Sequence, residues 1–162
     1  MTAFQPPRGN APGPQLEGRV ALVFGAGSAG DGWGNGKASA VAYARAGARV
    51  VAVDVDGDAA AVTRDIIRGE GLEAISVAAD VTRLADVQQA VGQALAAFGR
   101  IDVLHNNVGI TSQGGPIETT EDTWDRVMTV NAKSMFLTCK CVLPVMLEQG
   151  SGAIVNLSLI HI

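Results

Sequence analysis

The chain has 162 residues, of which 48% are apolar, which is enough for one domain with a buried core and excludes disorder for most of its length. Its net charge of −4 and its lack of any Lys or Arg block exclude a nucleic-acid partner. No apolar run approaches the ~18 residues needed to span a bilayer, and no basic patch precedes an apolar segment at the N-terminus. We therefore expect a cytoplasmic protein without a membrane partner.

Residues 1–18 hold four of the six prolines and are predicted to be a flexible leader, because proline interrupts both helices and sheet ladders. After them, short apolar runs alternate with helical patterns, which is typical of β-α-β units and a parallel sheet. The predicted strands are 20–24, 49–53, 74–79, 101–104 and 153–155. The predicted helices are 37–46, 59–68, one that Thr82 caps and that runs to Phe98, and 121–147.

The helix predicted over 121–147 is apolar on nearly every face. Such a helix is normally buried on two sides, so we expect one face on the sheet and the other against a second subunit or a further part of the chain. This predicts a homo-oligomer. Cys139 and Cys141 lie two positions apart in the same helix, point in different directions and are predicted to be reduced thiols that bind no metal.

A glycine-rich segment joins the first strand to the first helix. Residues 25–28 (Gly-Ala-Gly-Ser) follow the strand and residues 34–36 (Gly-Asn-Gly) open the helix, so backbone N–H groups face the space above the turn. A pyrophosphate fits that space best, and the order strand, loop, helix, strand and terminal acid is typical of dinucleotide binding. The acid is Asp54, eighteen positions after Gly36, close to the ~20 expected for a carboxylate that binds a ribose.

Asp54 also predicts which cofactor enters. A carboxylate ~4 Å from a 2′-phosphate would repel it by up to ~4 kcal/mol at an effective dielectric of 20, so NAD is favoured over NADP. The alternative is a plain turn acid, which Asp56 and Asp58 nearby would support.

Two further elements follow the third and fourth strands at the same predicted sheet edge, where open α/β folds bind ligands: Asp80-Val81 and the run 106–109 (Asn-Asn-Val-Gly). With the glycine loop, Asp54, Asn131 and the strand 152–156, they make the chain resemble the short-chain dehydrogenase/reductase family from about residue 18 to 156. The resemblance implies a Rossmann-like, doubly wound parallel sheet of order 3-2-1-4-5, ending here after about five strands. It also implies NAD(P)-dependent hydride transfer between alcohols and ketones.

The resemblance further implies a role for each matched residue. The cofactor-binding residues would be Gly25, Ser28, Gly34, Asn35 and Gly36 at the phosphates, Asp54 at the ribose, Asp80 and Val81 at the adenine, and Asn107, Val108 and Gly109 between adenine and nicotinamide. Asn131 would be the catalytic residue that matches the family's structural and proton-relay asparagine. It could equally satisfy a neighbouring backbone group as a helix-interior amide, and the two roles are compatible.

Several residues depart from the family pattern. Phe24 stands where the family usually has a threonine that would pin the turn, Val108 replaces an alanine, and the glycine loop carries about five extra residues, 29–33, which cost little closure entropy. The sequence does not decide which middle glycine of the loop touches the phosphate. It also does not decide whether Trp33 shields a ligand or covers the helix. His105, alone on the fourth strand, is predicted to pack rather than to react.

The catalytic groups that the resemblance implies after the fifth strand are not in the sequence. The only tyrosine is Tyr43, no Tyr-x-x-x-Lys motif exists, and Leu159 takes the place of the catalytic serine, one position after Ser158. Residues 157–162 are similar to a translated sequencing adapter, so we expect a non-native tail on an inactive cofactor-binding part, 19–156, of a longer enzyme. The alternatives are a non-catalytic nucleotide-binding module and an S-adenosylmethionine-dependent methyltransferase.

Overall fold

The computed structural model describes residues 15–28, 30 and 32–157, and these build a five-stranded parallel sheet. The strands are β1 Val20–Phe24, β2 Arg49–Asp54, β3 Ala74–Ala78, β4 Val103–Asn106 and β5 Ala153–Asn156. Their order is β3-β2-β1-β4-β5 and every neighbouring pair is parallel. The predicted Rossmann-like α/β fold and its strand order are therefore confirmed.

Helices cover both faces of the sheet. They are α1 Asn35–Arg45, α2 Gly57–Gly69, α3 Leu84–Phe98, α4 Glu121–Met128 and α5 Ser134–Gln149, with a π-helical turn, Thr129–Lys133, joining the last two. Alternate residues of β1 enter different cores, Leu22 with α3 and α5, and Val23 with α1 and α2. Burial on both faces explains why β1 is apolar throughout.

Several predicted boundaries are corrected by local hydrogen bonds. The helix α2 begins two residues early because the Asp56 carboxylate accepts the N–H groups of Asp58 and Ala59, at 3.0 and 3.1 Å. Thr82 does not cap α3. Its N–H and hydroxyl both donate to Asp80 Oδ1, at 2.8 and 2.7 Å, and this turn leaves residue 83 as an N-cap without a side-chain bond.

Residues 15–18, which were assigned to the leader, form a turn beside α1. The N–H of Leu16 donates to the carbonyl of Ala46 at 2.9 Å, and the Leu16 side chain packs against the α1–α2 core. The predicted leader residues 1–14 and the tail residues 158–162, with Ser158 and Leu159, lie outside the described residues.

The segment α4–α5 is apolar on two sides. Leu137, Val142 and Met146 are buried against α3 and the sheet, whereas Phe136 is 61% and Leu147 is 77% exposed. By length and composition alone this 29-residue segment is the one described helix that could cross a membrane, which is weak evidence because core helices of soluble proteins pass the same test. The absence of a membrane partner stays a prediction. Cys139 and Cys141, both in α5, are free thiols.

Candidate dinucleotide site

A cavity of about 840 Å³ opens at the carboxyl edge of the sheet, between the segments that follow β1, β2, β3 and β4. The eleven residues predicted to bind the cofactor all line it: Gly25, Ser28, Gly34, Asn35, Gly36, Asp54, Asp80, Val81, Asn107, Val108 and Gly109. The parallel sheet brings them together because all its strands end at this edge. Their placement is therefore as predicted, and their roles toward a ligand stay predictions.

The start of α1 is packed so tightly against the β1 turn that only glycine fits. A Cβ on Gly36 would lie 1.7 Å from the carbonyl oxygen of Gly25 and 2.6 Å from Asn107 Nδ2. Gly25 itself has φ +77°, a left-handed conformation that favours glycine, and a Cβ there would approach Val108 to 3.0 Å. Backbone therefore forms the floor of the cavity at this point.

Hydrogen bonds hold the described residues on either side of the extra positions of the loop. The Ser28 hydroxyl accepts the N–H of Gly34 at 2.8 Å. Lys37, only 7% exposed, donates from Nζ to the carbonyl of Gly32 at 3.0 Å. A Cβ on Gly30 or Gly32 would have no atom within 4 Å, and neither residue lines the cavity. Among the middle glycines of the loop, Gly34 is therefore the one that reaches the cavity.

The N-terminus of α1 lacks the side-chain cap that two other helices have. Its N-cap is Gly34, and its first turn holds no acidic residue, whereas Asp56 caps α2 and Thr120 caps α4. The first N–H groups of a helix have no partner within the helix and carry the positive end of its dipole. They are therefore suited to bind an anion above residues 34–36.

Asp54, the last residue of β2, forms the wall of the cavity beside the loop. Its Oδ2 accepts the N–H of Gly27 at 2.8 Å, and its Oδ1 accepts the N–H of Asp56 at 3.1 Å. A Cβ on Gly27 would lie 2.8 Å from that carboxylate and 2.7 Å from Ala59 Cβ. Sequence reasoning missed Gly27, although it is the second glycine of the run that was singled out.

Asn107 holds the β4 end of the site against the loop. Its Nδ2 donates to the carbonyl of Gly25 at 3.0 Å, and its Oδ1 is buried without a partner among the described residues. The preceding Asn106 points to the other side, where its Nδ2 donates to Asn156 Oδ1 and its Oδ1 accepts the Thr138 hydroxyl, both at 2.8 Å. The two asparagines therefore fix β4 to different neighbours.

Asn131 lies in the π-helical turn and does not line the cavity. Its side chain pairs with the backbone of Ile110 through two hydrogen bonds, which matches the structural reading of this residue. The neighbouring helix residues Asp125, Arg126, Thr129 and Val130 do line the cavity, and sequence reasoning missed them. Their i, i+4 spacing puts the two pairs on one helical face, but no motif marks them in the sequence.

His105 is buried and packs, as predicted. Its Nδ1 lies 2.9 Å from the Tyr43 hydroxyl, and its Nε2 has no partner among the described residues. Burial lowers the pKa of His105 and raises the pKa of Tyr43, because it disfavours the charged form of each side chain. The pair lies on the α1 face of the sheet, away from the cavity lining.

A model of the short chain dehydrogenase family matches residues 19–161. The chain belongs to the short-chain dehydrogenase/reductase family. Members of this family generally use NAD or NADP, and the curated relatives are dehydrogenases and reductases.

Two curated relatives illustrate the similarity. The 2-(R)-hydroxypropyl-CoM dehydrogenase of Xanthobacter autotrophicus is 47% identical over 87 residues, covering 52% of this chain and 35% of that protein. A 3-oxoacyl-[acyl-carrier-protein] reductase of Staphylococcus epidermidis is 36% identical over 101 residues, covering 62% of this chain and 41% of that protein. The matches thus span well under half of these relatives.

Solved structures agree over more of the chain. A short-chain dehydrogenase/reductase from Burkholderia xenovorans superposes with a TM-score of 0.85 at 47% identity, covering 90% of this chain and 57% of that one. A hydroxysteroid dehydrogenase from Escherichia coli gives 0.79 at 30% identity, covering 88% and 62%.

Proposed function

We propose that this short-chain dehydrogenase/reductase chain binds NAD in the cavity at the sheet edge and serves as the cofactor-binding part of an alcohol or ketone oxidoreductase. One observation carries the proposal: the uncapped N-terminus of α1 and the Asp54 carboxylate face the same cavity. The first fits a pyrophosphate and the second a ribose, at the two positions that a dinucleotide needs.

The cavity residues fit the remaining parts of the cofactor. Asp80 has its Oδ1 engaged by Thr82, so its second carboxylate oxygen is the one suited to an adenine amino group. Residues 107–109 continue the lining toward the position of the nicotinamide. The cofactor would accept the hydride as NAD⁺ or donate it as NADH, while these residues would bind the cofactor and orient it.

The chain itself is proposed to be inactive. It contains neither a Tyr-x-x-x-Lys motif nor a serine at residue 159, and loss of a general acid alone costs about 10² to 10⁴ in rate. We expect the purified chain to form no NADH from alcohols that the relatives' class of enzyme oxidises. Measurable NADH formation would contradict this part of the proposal.

NAD is proposed over NADP because the ribose side of the cavity is acidic. Asp54 and Asp56 both line it, and a 2′-phosphate there would meet the Asp54 carboxylate, whose two oxygens accept the N–H groups of Gly27 and Asp56. The repulsion between the carboxylate and the 2′-phosphate would be at most ~4 kcal/mol, at a separation of 4 Å and an effective dielectric of 20.

Isothermal titration calorimetry tests the proposal. NAD is expected to bind the wild-type chain more tightly than NADP, and Asp54→Asn to lose most of that preference. Asp65→Asn is the matched control, because Asp65 is exposed on α2 and pairs with Arg64 rather than with the cavity. Binding of S-adenosylmethionine without NAD would instead favour a methyltransferase, and a wild-type chain that prefers NADP would contradict the cofactor assignment.

The exposed face of α5 supports a second proposal, that two copies of the protein associate through α4 and α5. Phe136 and Leu147 are large, exposed apolar side chains on this face. Sedimentation velocity tests it: the wild type is expected to dimerise more strongly than Phe136→Ser. A cytoplasmic location stays a prediction.

A further inference from the structure

Thr63, in the second turn of α2, bonds to the glycine-rich loop instead of to its own helix. Its hydroxyl donates to the carbonyl of Ala26 at 2.7 Å, whereas the Ala59 carbonyl, the usual i−4 acceptor for a helical threonine, is 3.4 Å away. A hydroxyl has one proton, so the shorter contact identifies Ala26 as the acceptor. Thr63 is 0% exposed, so water does not reach this bond to replace it.

The acceptor belongs to a peptide group that is held from both ends. The carbonyl of Ala26 and the N–H of Gly27 are parts of one planar peptide. Thr63 holds the carbonyl, and the Asp54 carboxylate holds the N–H at 2.8 Å. If this peptide rotated by half a turn, its carbonyl oxygen would face the carboxylate and the Gly27 N–H would point toward α2.

Among the described residues, Thr63 is the side chain that bonds to the Ala26 carbonyl, whereas Asn107 Nδ2 bonds to the carbonyl of Gly25, one peptide earlier. Phe24 ends the strand with its ring buried in the α3–α5 core and has no hydroxyl to offer. The N–H groups of Gly25 and Ala26 both donate to Val53, which fixes the turn only up to the peptide in question. The side-chain hydrogen bond that orients the carbonyl thus comes from α2.

We propose that Thr63 is a positioning residue for the dinucleotide site, which keeps the Ala26–Gly27 peptide turned with its N–H toward Asp54. The carboxylate is thereby fixed at the place where a ribose would bind. The inference about ligand affinity rests on the proposed function. The inference about peptide orientation does not rest on the proposed function, because the peptide orientation can be measured in the ligand-free chain.

The test compares three variants of the full chain by two measurements. Thr63→Val keeps the shape and removes the hydroxyl, Thr63→Ser keeps the hydroxyl, and Ile67→Val shortens a buried side chain one turn later in the same helix without removing a hydrogen bond to the loop. The measurements are the amide exchange rate of Gly27 in the ligand-free chain, by NMR, and the Kd for NAD and for AMP, by calorimetry.

Thr63→Val is expected to speed Gly27 exchange and to weaken both ligands about tenfold, which is 1.4 kcal/mol. Thr63→Ser is expected to retain the wild-type values, and Ile67→Val to lower the Tm while leaving the Gly27 exchange and both Kd values unchanged. Wild-type behaviour of Thr63→Val, or equal loosening of Gly27 in Ile67→Val, would overturn the inference.

Two outcomes separate this inference from the proposed function. If the wild type binds no NAD, the proposed function fails, and the Gly27 exchange rates still decide on Thr63. If Thr63→Val does not fold, Thr63→Ala takes its place, because alanine also lacks a donor. Gly27 exchange as slow in Thr63→Ala as in the wild type then overturns the inference.

Discussion

The Asn131 side chain pairs with both backbone polar groups of Ile110: its Oδ1 accepts the Ile110 N–H and its Nδ2 donates to the Ile110 carbonyl, each at 2.8 Å. The two residues belong to different elements, the π-helical turn and the segment after β4. The pairing therefore ties the helix that crosses the sheet edge to residues 107–110 of the cavity lining.

Breaking this pairing should loosen the cavity wall. Asn131→Ala removes two hydrogen bonds, each of which contributes about 0.5–1.5 kcal/mol, and we expect unfolding at lower denaturant concentration and faster amide exchange at Ile110. Asn131→Asp keeps an acceptor for the Ile110 N–H but loses the donor, so an intermediate effect is expected. If both variants matched the wild type in exchange at Ile110, the pairing would have no role in holding this segment.

Gly36 and Gly32 provide a matched pair of glycine substitutions. Gly36→Ala would place a Cβ 1.7 Å from a backbone oxygen, so α1 must shift, and a destabilisation of about 1–3 kcal/mol with loss of NAD binding is expected. Gly32→Ala has no atom within 4 Å of the added carbon, so its stability should stay within about 0.5 kcal/mol of the wild type. Thermal denaturation and calorimetry measure both, and an equal effect of the two changes would contradict the tight packing at Gly36.

Asp102 should carry much of the acid sensitivity of the fold. Burial acts to raise its pKa, but hydrogen bonds from Arg100, Arg19 and the Val20 N–H outweigh it and hold the pKa at about 2. A lowered pKa means that the stabilisation is present above the ordinary value of 3.8 and is lost as the pH falls from there toward 2. The shift corresponds to about 2 kcal/mol.

Asp102→Asn is therefore expected to lose at least about 2 kcal/mol at pH 7 and to show a flatter stability profile below pH 4. Chemical denaturation at several pH values measures this. Asp65→Asn removes a carboxylate from an exposed ion pair and should change the profile little. The same profile in wild type and Asp102→Asn would show that another carboxylate is responsible.

His105 should add a second pH dependence at higher pH. Burial lowers its pKa from the ordinary 6.5, so the unfolded chain binds a proton that the folded chain does not. Stability is then expected to fall as the pH drops below about 6.5, by up to about 1.4 kcal/mol per pH unit while the folded imidazole stays neutral.

His105→Gln removes this titration, so its stability should be nearly level between pH 6.5 and 5, although its overall stability is lower because the Tyr43 hydroxyl loses its partner. His161→Gln, which removes the chain's other histidine, is the control and should keep the wild-type slope. If the slope disappeared in His161→Gln instead, His161 and not His105 would be the titrating group, and the prediction would be wrong.

The elements that could be predicted from sequence are those that a local pattern encodes. Strand β1, the glycine loop and Asp54 follow from an apolar run, a glycine spacing and a terminal acid. The start of α3 could not be predicted, because Asp80 competes for Thr82. Strand β4 was predicted over 101–104 but lies at 103–106, and its last two residues, His105 and Asn106, are buried by partners far along the chain.

The cavity residues from the α4 segment were missed for a related reason. Asp125 and Arg126 carry no motif, and they reach the cavity because the helix passes over the sheet edge. Thr63 was also missed, since an isolated threonine in a helix is ordinarily bonded to its own backbone. Residues that act through tertiary contacts therefore require the structure.

The bond between the Ser28 hydroxyl and the Gly34 amide joins the two residues that flank positions 29–33 in the sequence. Gly32 and Trp33 do not line the cavity, which makes this stretch a suitable attachment point for a reporter. A fluorescent label at Trp33, which is 61% exposed, would lie beside the proposed NAD cavity without filling it. Occupancy could then be followed optically without a measurement of turnover.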